Sequence, residues 1–206
     1  MYIPNYFKNN NIKEVKEFIN RNGFGTLINI IDGKPRATHI PLEWDTNREG
    51  KDILLGHISK ANPQWKNFNN DESVLTVFLG PHSYISSSWY NHENVPTWNY
   101  IAVHIYGRIR IIEGGELLKS LNKLVDKYER NSAEPVSIEN LSPQTLKKLR
   151  EIVGFEIIIR EIQAAYKLSQ NRNKIDFKNI IKELENTSKT DSIELAAVMK
   201  EKTNNR

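Results

Sequence analysis

Apolar residues recur along this chain with two periods, and the change from one to the other marks out the elements. Ile12, Val15, Phe18 and Ile19 share one helical face, Asn11 with Glu14 reads as a capping box, and Gly23 ends the helix. Phe24 to Ile31 then reads as a strand, Asp32 to Pro35 as a turn and Arg36 to Leu42 as the returning strand of a hairpin. From Asp52 to Ser59, Ile53, Leu55 and His57 point one way and Leu54 and Ile58 the other. Lys60 to Trp65 leaves that strand and opens a short helix. Ser73 to Leu79 is apolar on both faces, which predicts a central strand. Tyr100 to Ile112 alternates most clearly, with Ile101, Val103, Ile105, Ile109 and Ile111 set against Ala102, His104, Tyr106, Arg108 and Arg110; Gly107 midway predicts a bulge or bend. The period returns to helical over Glu116 to Glu129, and Ser142 caps a further helix with Pro143 at its first position. Ile152 to Ile162 is the last strand. Helices over Phe177 to Glu185 and Ile193 to Lys202 follow, the second with Asp191 as N-cap and Glu194 at the capping-box position.

Six or seven strands without β-α-β alternation predict a mainly β fold with peripheral helices (α+β), built on an antiparallel barrel. No GxGxxG or Walker glycine pattern occurs. With 206 residues, 38% hydrophobic and 26% charged, the chain has enough apolar sequence for one large domain with a helical appendage. The absence of cysteine excludes disulfides, thiolate metal sites and a cysteine nucleophile. No apolar run is long enough for a membrane span and no signal segment opens the chain, so a cytoplasmic location is expected. A net charge of +4 suits a phosphate-bearing ligand or an ordinary solvated surface.

Three stretches carry candidate chemistry. Gly80 to Tyr100 packs three tyrosines, two tryptophans and two histidines, and so many rings need a burial partner: the barrel, a second subunit or a flat ligand. In His57-Ile58-Ser59-Lys60-Ala61-Asn62 a strand ends in a hydroxyl and an ammonium just before a helix. That arrangement makes either a phosphate cradle, with free backbone N–H groups and with Thr38 and His39 on a neighbouring strand, or a helix cap beside a solvated lysine. Lys167, Ser169, Gln170 and Arg172 form a second donor cluster. It suits a heteroaromatic edge or a negatively charged ring, or is a polar connection turning at Asn171. The five histidines show no metal-ligand spacing, no catalytic acid or base stands out, and no GxSxG elbow is present. The two C-terminal helices could pair as a helix-turn-helix, but the second begins apolar and acidic where a recognition helix presents polar and basic groups.

Several long motifs occur in order: MYIPNYF at the start, ATHIPL at 37–42, GHISKANPQW at 56–65, GPHSYISSSWY at 80–90, VPTWNYIAVHIYG at 95–107, IVGFEI at 152–157 and KLSQNR at 167–172. Over residues 1 to about 184 the chain resembles the PaiB-type family of FMN-binding negative transcriptional regulators. The resemblance implies an antiparallel split β-barrel of the pyridoxamine-phosphate-oxidase type over residues 1–172, with residues 173–206 as the helical appendage. It further implies a homodimer with FMN at the subunit interface. The phosphate group would lie by Thr38, His39, Ser59 and Lys60, with His57 and Asn62 beside them. The isoalloxazine would be approached by Lys167, Ser169, Gln170 and Arg172 of the second subunit, with Trp98 and Asn99 near the ring or the dimer seam.

The chain departs from the family pattern in two places. Ser87 stands where a proline is usual, and Ala164-Ala165-Tyr166 stands where a Gly-Lys-Trp-like segment is usual. The family implies repression of sporulation and degradative-enzyme genes, by DNA contact or through a partner. A flavin-dependent oxidoreductase or a haem-handling protein on the same barrel is the alternative.

Overall fold

The computed structural model describes residues 1–68 and 73–204. Among them are six strands: β1 (Phe24–Ile31), β2 (Lys34–Thr46), β3 (Asp52–Ser59), β4 (Ser73–Ile85), β5 (Thr97–Ile112) and β6 (Ile152–Lys167). They hydrogen-bond in the order β1-β2-β3-β6-β5-β4 and close into a barrel. The helices are α1 (Ile12–Arg21), α2 (Gly114–Glu129), α3 (Pro143–Leu146), α4 (Lys174–Glu185) and α5 (Thr190–Asn204).

The hairpin forms where the sequence predicts, but its turn is tighter: Lys34 and Pro35, expected in the turn, already belong to β2. Ile31 pairs with Lys34 across Asp32 and Gly33, which have φ of 51° and 72°. Two consecutive positive φ values match the right-handed twist of the flanking strands, and an Asp-Gly pair supplies them at low steric cost. Asn11 caps α1, its side chain accepting the Glu14 N–H at 3.3 Å.

Four strands run further than the apolar pattern shows. β2 continues to Thr46, β4 to Ile85 and β6 to Lys167, and β5 starts at Thr97. The period-two burial persists across the aromatic stretch: Ser83 and Ile85 are buried while Tyr84 is exposed. Only residues 86–96 of that stretch lie outside the strands, so most of its rings stand on sheet faces. β5 passes through Gly107 without a break. A Cβ there would sit 2.5 Å from the Ile158 carbonyl oxygen, so glycine is needed for close approach of β6. α4 begins at Lys174, capped by Asn173 through the N–H groups of Ile175 and Asp176, and α5 begins at Thr190, ahead of the predicted Asp191 cap.

By contacts the chain divides into two compact units. The first holds residues 1–18, 78–104 and 163–206. Its core includes Val15, Phe18, Ile101, Tyr166, Ile180, Leu184, Leu195 and Met199, with Phe18 edge-on to Tyr166 at 6.0 Å. The second holds residues 19–77 and 105–162. Phe68 and Phe155 meet edge to face at 5.3 Å in its core, among Leu27, Leu42, Leu54 and Ile157. Among the described residues no helix is long and apolar enough to cross a membrane.

Candidate functional site

In the second unit, the end of β3 and the short 3-10 helix Pro63–Asn67 frame the first candidate cluster. Asn62 caps that helix by accepting the Gln64 N–H at 3.0 Å, and its amide donates to Thr38 Oγ1 at 2.9 Å. The Thr38 hydroxyl donates to Gln64 Oε1, and Gln64 Nε2 donates to the carbonyls of Leu27 and Arg36, each at 3.3 Å. Gln64 is only 2% exposed. This network ties the helix to the β1–β2 hairpin. Gln64, its hub, escapes the sequence reading because an internal glutamine carries no local signal; its partners lie 26 to 37 residues away.

Ser59 and Lys60 stand at the exposed edge of this frame. The backbone N–H groups expected to be free here are all engaged. Lys60 N–H donates to the Glu151 carbonyl at 2.7 Å, Ala61 N–H to Ser59 Oγ at 3.3 Å and Asn62 N–H to the Ser59 carbonyl at 2.9 Å. An anion at this place would therefore be held by side chains: the Ser59 hydroxyl proton and the Lys60 ammonium, which has no partner among the described residues. Trp65 Nε1 donates to the Lys60 carbonyl at 2.9 Å and fixes the loop.

The two histidines of the cluster sit apart from this edge in different ways. His39 follows Thr38 on β2 and so points to the opposite face, where its Nδ1 lies 2.9 Å from Thr26 Oγ1 and its ring stacks on Phe24 at 6.4 Å. His57 lies half-buried on β3 opposite Gly154, and burial pulls its pKa below the usual histidine value. The donor set fits a phosphate: one ammonium and one hydroxyl on a rigid frame. Among the described residues no three His, Cys, Asp or Glu side chains converge to hold a metal.

The second cluster lies in the first unit, and most of its side chains bond within it. Asn99, fully buried on β5, donates to Ser169 Oγ at 2.9 Å. Asn171 lies in a turn as expected, closed by the Arg172 N–H donating to the Ser169 carbonyl at 3.0 Å, and Ser169, 3% exposed, takes the left-handed conformation with φ of 58°. Gln170 folds onto its own turn: Nε2 donates to the Tyr166 carbonyl at 2.6 Å, and Oε1 accepts the Leu168 N–H at 2.8 Å. Lys167 donates to Thr97 Oγ1 at 2.6 Å; burial, with the Arg172 charge adding to it, lowers its pKa. Arg172 lies over the Tyr90 ring at 4.8 Å. Trp98 is different. It is 53% exposed on β5, with Tyr84 edge-on at 6.2 Å and His82 at 6.1 Å, so these three make an aromatic surface. Ala164 and Ala165 are each 1% exposed. Asn9 N–H donates to the Ala164 carbonyl at 2.9 Å and Lys8 bridges Ala165, so the N-terminal segment lies along β6 there.

Comparison with known proteins agrees with this architecture. "Protease synthase and sporulation protein PAI 2" of Bacillus subtilis (strain 168) is 47% identical over 203 residues, which is 98% of each chain. Among solved structures, the flavocytochrome Anf3 from Azotobacter vinelandii superposes with a TM-score of 0.63 at 18% identity, covering 86% of this chain and 78% of that one. The FAD and heme binding protein from Mycobacterium smegmatis does so with a TM-score of 0.59 at 15% identity, covering 78% and 73%. At these identities the two structures share the fold alone. Residues 1–161 match the protein family described as "Putative FMN-binding domain", and the chain belongs to that family.

Proposed function

We propose that this protein is an FMN-binding regulator that works as a homodimer in the control of sporulation and degradative enzymes. FMN is the cofactor implied by its family, and the name of its Bacillus subtilis relative supports the regulatory setting. The observation that carries the reading is the Lys60 ammonium. It is exposed and unpartnered among the described residues, next to the Ser59 hydroxyl, on a loop held by the Thr38–Asn62–Gln64 network. Lys60 and Ser59 would hold the FMN phosphate, while Thr38 and Asn62 set the loop's position. His57 and His39, which sit apart from the Ser59–Lys60 edge, would border the ligand beyond its phosphate. When bound, FMN supplies one- and two-electron redox chemistry, and the protein supplies binding and orientation.

The exposed Trp98 and Tyr84, with the half-buried His82 beside them, support the dimer, since rings of this size are favoured at interfaces. Lys167 and Arg172 bring positive charge to the same unit, and we assign them, with Trp98, to the isoalloxazine side in a second copy. Asn99, Ser169 and Gln170 hold the turn that presents them. Replacing Trp98 with Glu is expected to shift the protein from dimer to monomer in sedimentation and to lower FMN occupancy with it. A variant that remains dimeric would remove Trp98 from the seam.

For the regulatory half, α5 carries Asp191 and Glu194 in its first turns and buries Leu195, Ala196 and Met199. That surface is unlike one that reads a DNA groove. Control through a partner protein or a sensed small molecule follows. A mobility-shift assay at low salt, with and without FMN, tests it: a shift that weakens steeply as salt rises would restore direct DNA contact.

A further inference from the structure

Asp176, in the first turn of α4, has a fully buried carboxylate that no proposed flavin contact uses, and no lysine or arginine pairs with it among the described residues. One oxygen accepts the Asn91 N–H at 2.8 Å and the other accepts the Asn173 side-chain amide at 2.8 Å. His92 completes the surroundings: its Nδ1 lies 3.3 Å from Asp176 Oδ2 and 3.0 Å from Asn91 Oδ1. A buried charge persists only where enough donors converge on it, and here they come from two elements. Asp176 thereby ties residues 91 and 92, in the connection from β4 to β5, to the start of α4.

The hydrogen-bond network fixes the form of the ring. Both neighbours of Nδ1 are acceptors, and a carboxylate oxygen can only accept, so Nδ1 carries the hydrogen. On the other side Asn94 Nδ2 lies 3.1 Å from Nε2. The Asn94 amide is oriented by its Oδ1, which accepts the Val95 N–H at 2.8 Å, so the group facing the ring is the NH2 donor and Nε2 must be bare. His92 is therefore neutral in this network, with both nitrogens committed. Its side chain is 48% exposed, so a proton from solvent can reach it. The ionisable groups around it are Asp176 of α4, Arg172 of the β6–α4 connection and Glu93 beside it in the chain. Arg172 lies over the Tyr90 ring, which is 5.9 Å from the His92 ring. Of the three, only Asp176 contacts the imidazole among the described residues.

We infer that His92 is a proton-operated latch on the connection from β4 to β5. The neutral ring ties Asn94 and Val95 to α4 through Asp176. A second proton, on Nε2, sets one N–H against another, so the hold on Asn94 is lost, while the attraction of Nδ1–H for the Asp176 carboxylate grows. The protonated ring stays with Asp176 and lets residues 94 and 95 go. β5 begins at Thr97, two residues beyond Val95, and continues into Trp98, so the released residues are those that lead to the ring proposed for the subunit seam. That last consequence rests on the proposed dimer; the latch does not.

The test follows the full chain by NMR between pH 7.5 and 5.5, without FMN. The nitrogen shifts of the His92 ring are expected to report the Nδ1–H tautomer at the upper end. As the ring takes up its second proton, the Asn94 side-chain amide is expected to shift in step with it. Backbone order at Asn94 and Val95 should fall over the same range, while Asn91, held by Asp176, keeps its order. Acid unfolding would loosen all three together, so the contrast separates the latch from loss of the fold. Asn94→Asp is the rescue variant: its carboxylate accepts from a protonated Nε2 and from the Val95 N–H, so residues 94 and 95 should stay ordered at pH 5.5. His92→Gln should make their order insensitive to pH across this range. A ring in the Nε2–H tautomer at pH 7.5 would overturn the inference. So would order at Val95 that does not follow the His92 titration, or an Asn94→Asp variant that releases Val95 as the parent does.

Discussion

Gln64→Leu gives a sharp test of how the candidate phosphate edge is held. Leucine keeps much of the buried volume and removes all three of the glutamine's side-chain hydrogen bonds: one accepted from Thr38 and two donated to the Leu27 and Arg36 carbonyls. Each such bond contributes about 0.5–1.5 kcal/mol net, so their loss amounts to roughly 1.5–4.5 kcal/mol, and about 2–4 kcal/mol is the expected cost. For a chain of this size that corresponds to a fall in Tm of roughly 5–15 °C. Urea unfolding followed by far-ultraviolet circular dichroism measures it, with an unchanged m-value showing that the denatured state is the same. FMN affinity should fall as well, although Gln64 itself would not touch the ligand, because Asn62 and Thr38 lose their anchor. A stability change below about 0.5 kcal/mol with unaltered FMN binding would refute the claim that this network positions the loop.

Two further predictions concern the barrel. Gly107→Ala places a Cβ 2.5 Å from the Ile158 carbonyl oxygen, backbone that cannot move without parting β5 from β6. A loss of about 1–3 kcal/mol or more is expected in chemical denaturation, and a neutral result would contradict the close approach. Burial lowers the pKa of both His57 and His104 in the folded state. Below the unfolded histidine value, near 6.5, the unfolded chain then binds more protons, so the stability present above that pH is lost as pH falls through it. Melting temperatures between pH 7.5 and 5.5 should decline, and a His57→Gln, His104→Gln double variant should flatten the decline; an unchanged slope would remove these histidines as its source.

What could be read in the sequence was what sequence-local physics decides. The alternation in β3 and β5, the Asp32-Gly33 turn and the Asn11 cap each depend on residues a few positions apart, and each appears in the structure. The strand extensions were hidden because Pro81, His82 and Ser83 look like loop residues in composition, while their alternation of buried and exposed faces continues the strand. The candidate site was legible as a set of motifs and not as a geometry. Ser59 and Lys60 stood out as residue types, but the engagement of the neighbouring N–H groups depends on Glu151, and the hub role of Gln64 on Leu27 and Arg36.

The Lys60 ammonium as the phosphate contact is the point most directly open to measurement. Titrating FMN into the purified protein and its Lys60→Ala variant, by quenching of flavin fluorescence, measures that contact alone. Removing one charge-assisted hydrogen bond of about 1.5–3 kcal/mol predicts a ten- to hundred-fold weaker Kd, roughly, with the fold intact by circular dichroism. An FMN affinity unchanged by the substitution would contradict the assignment.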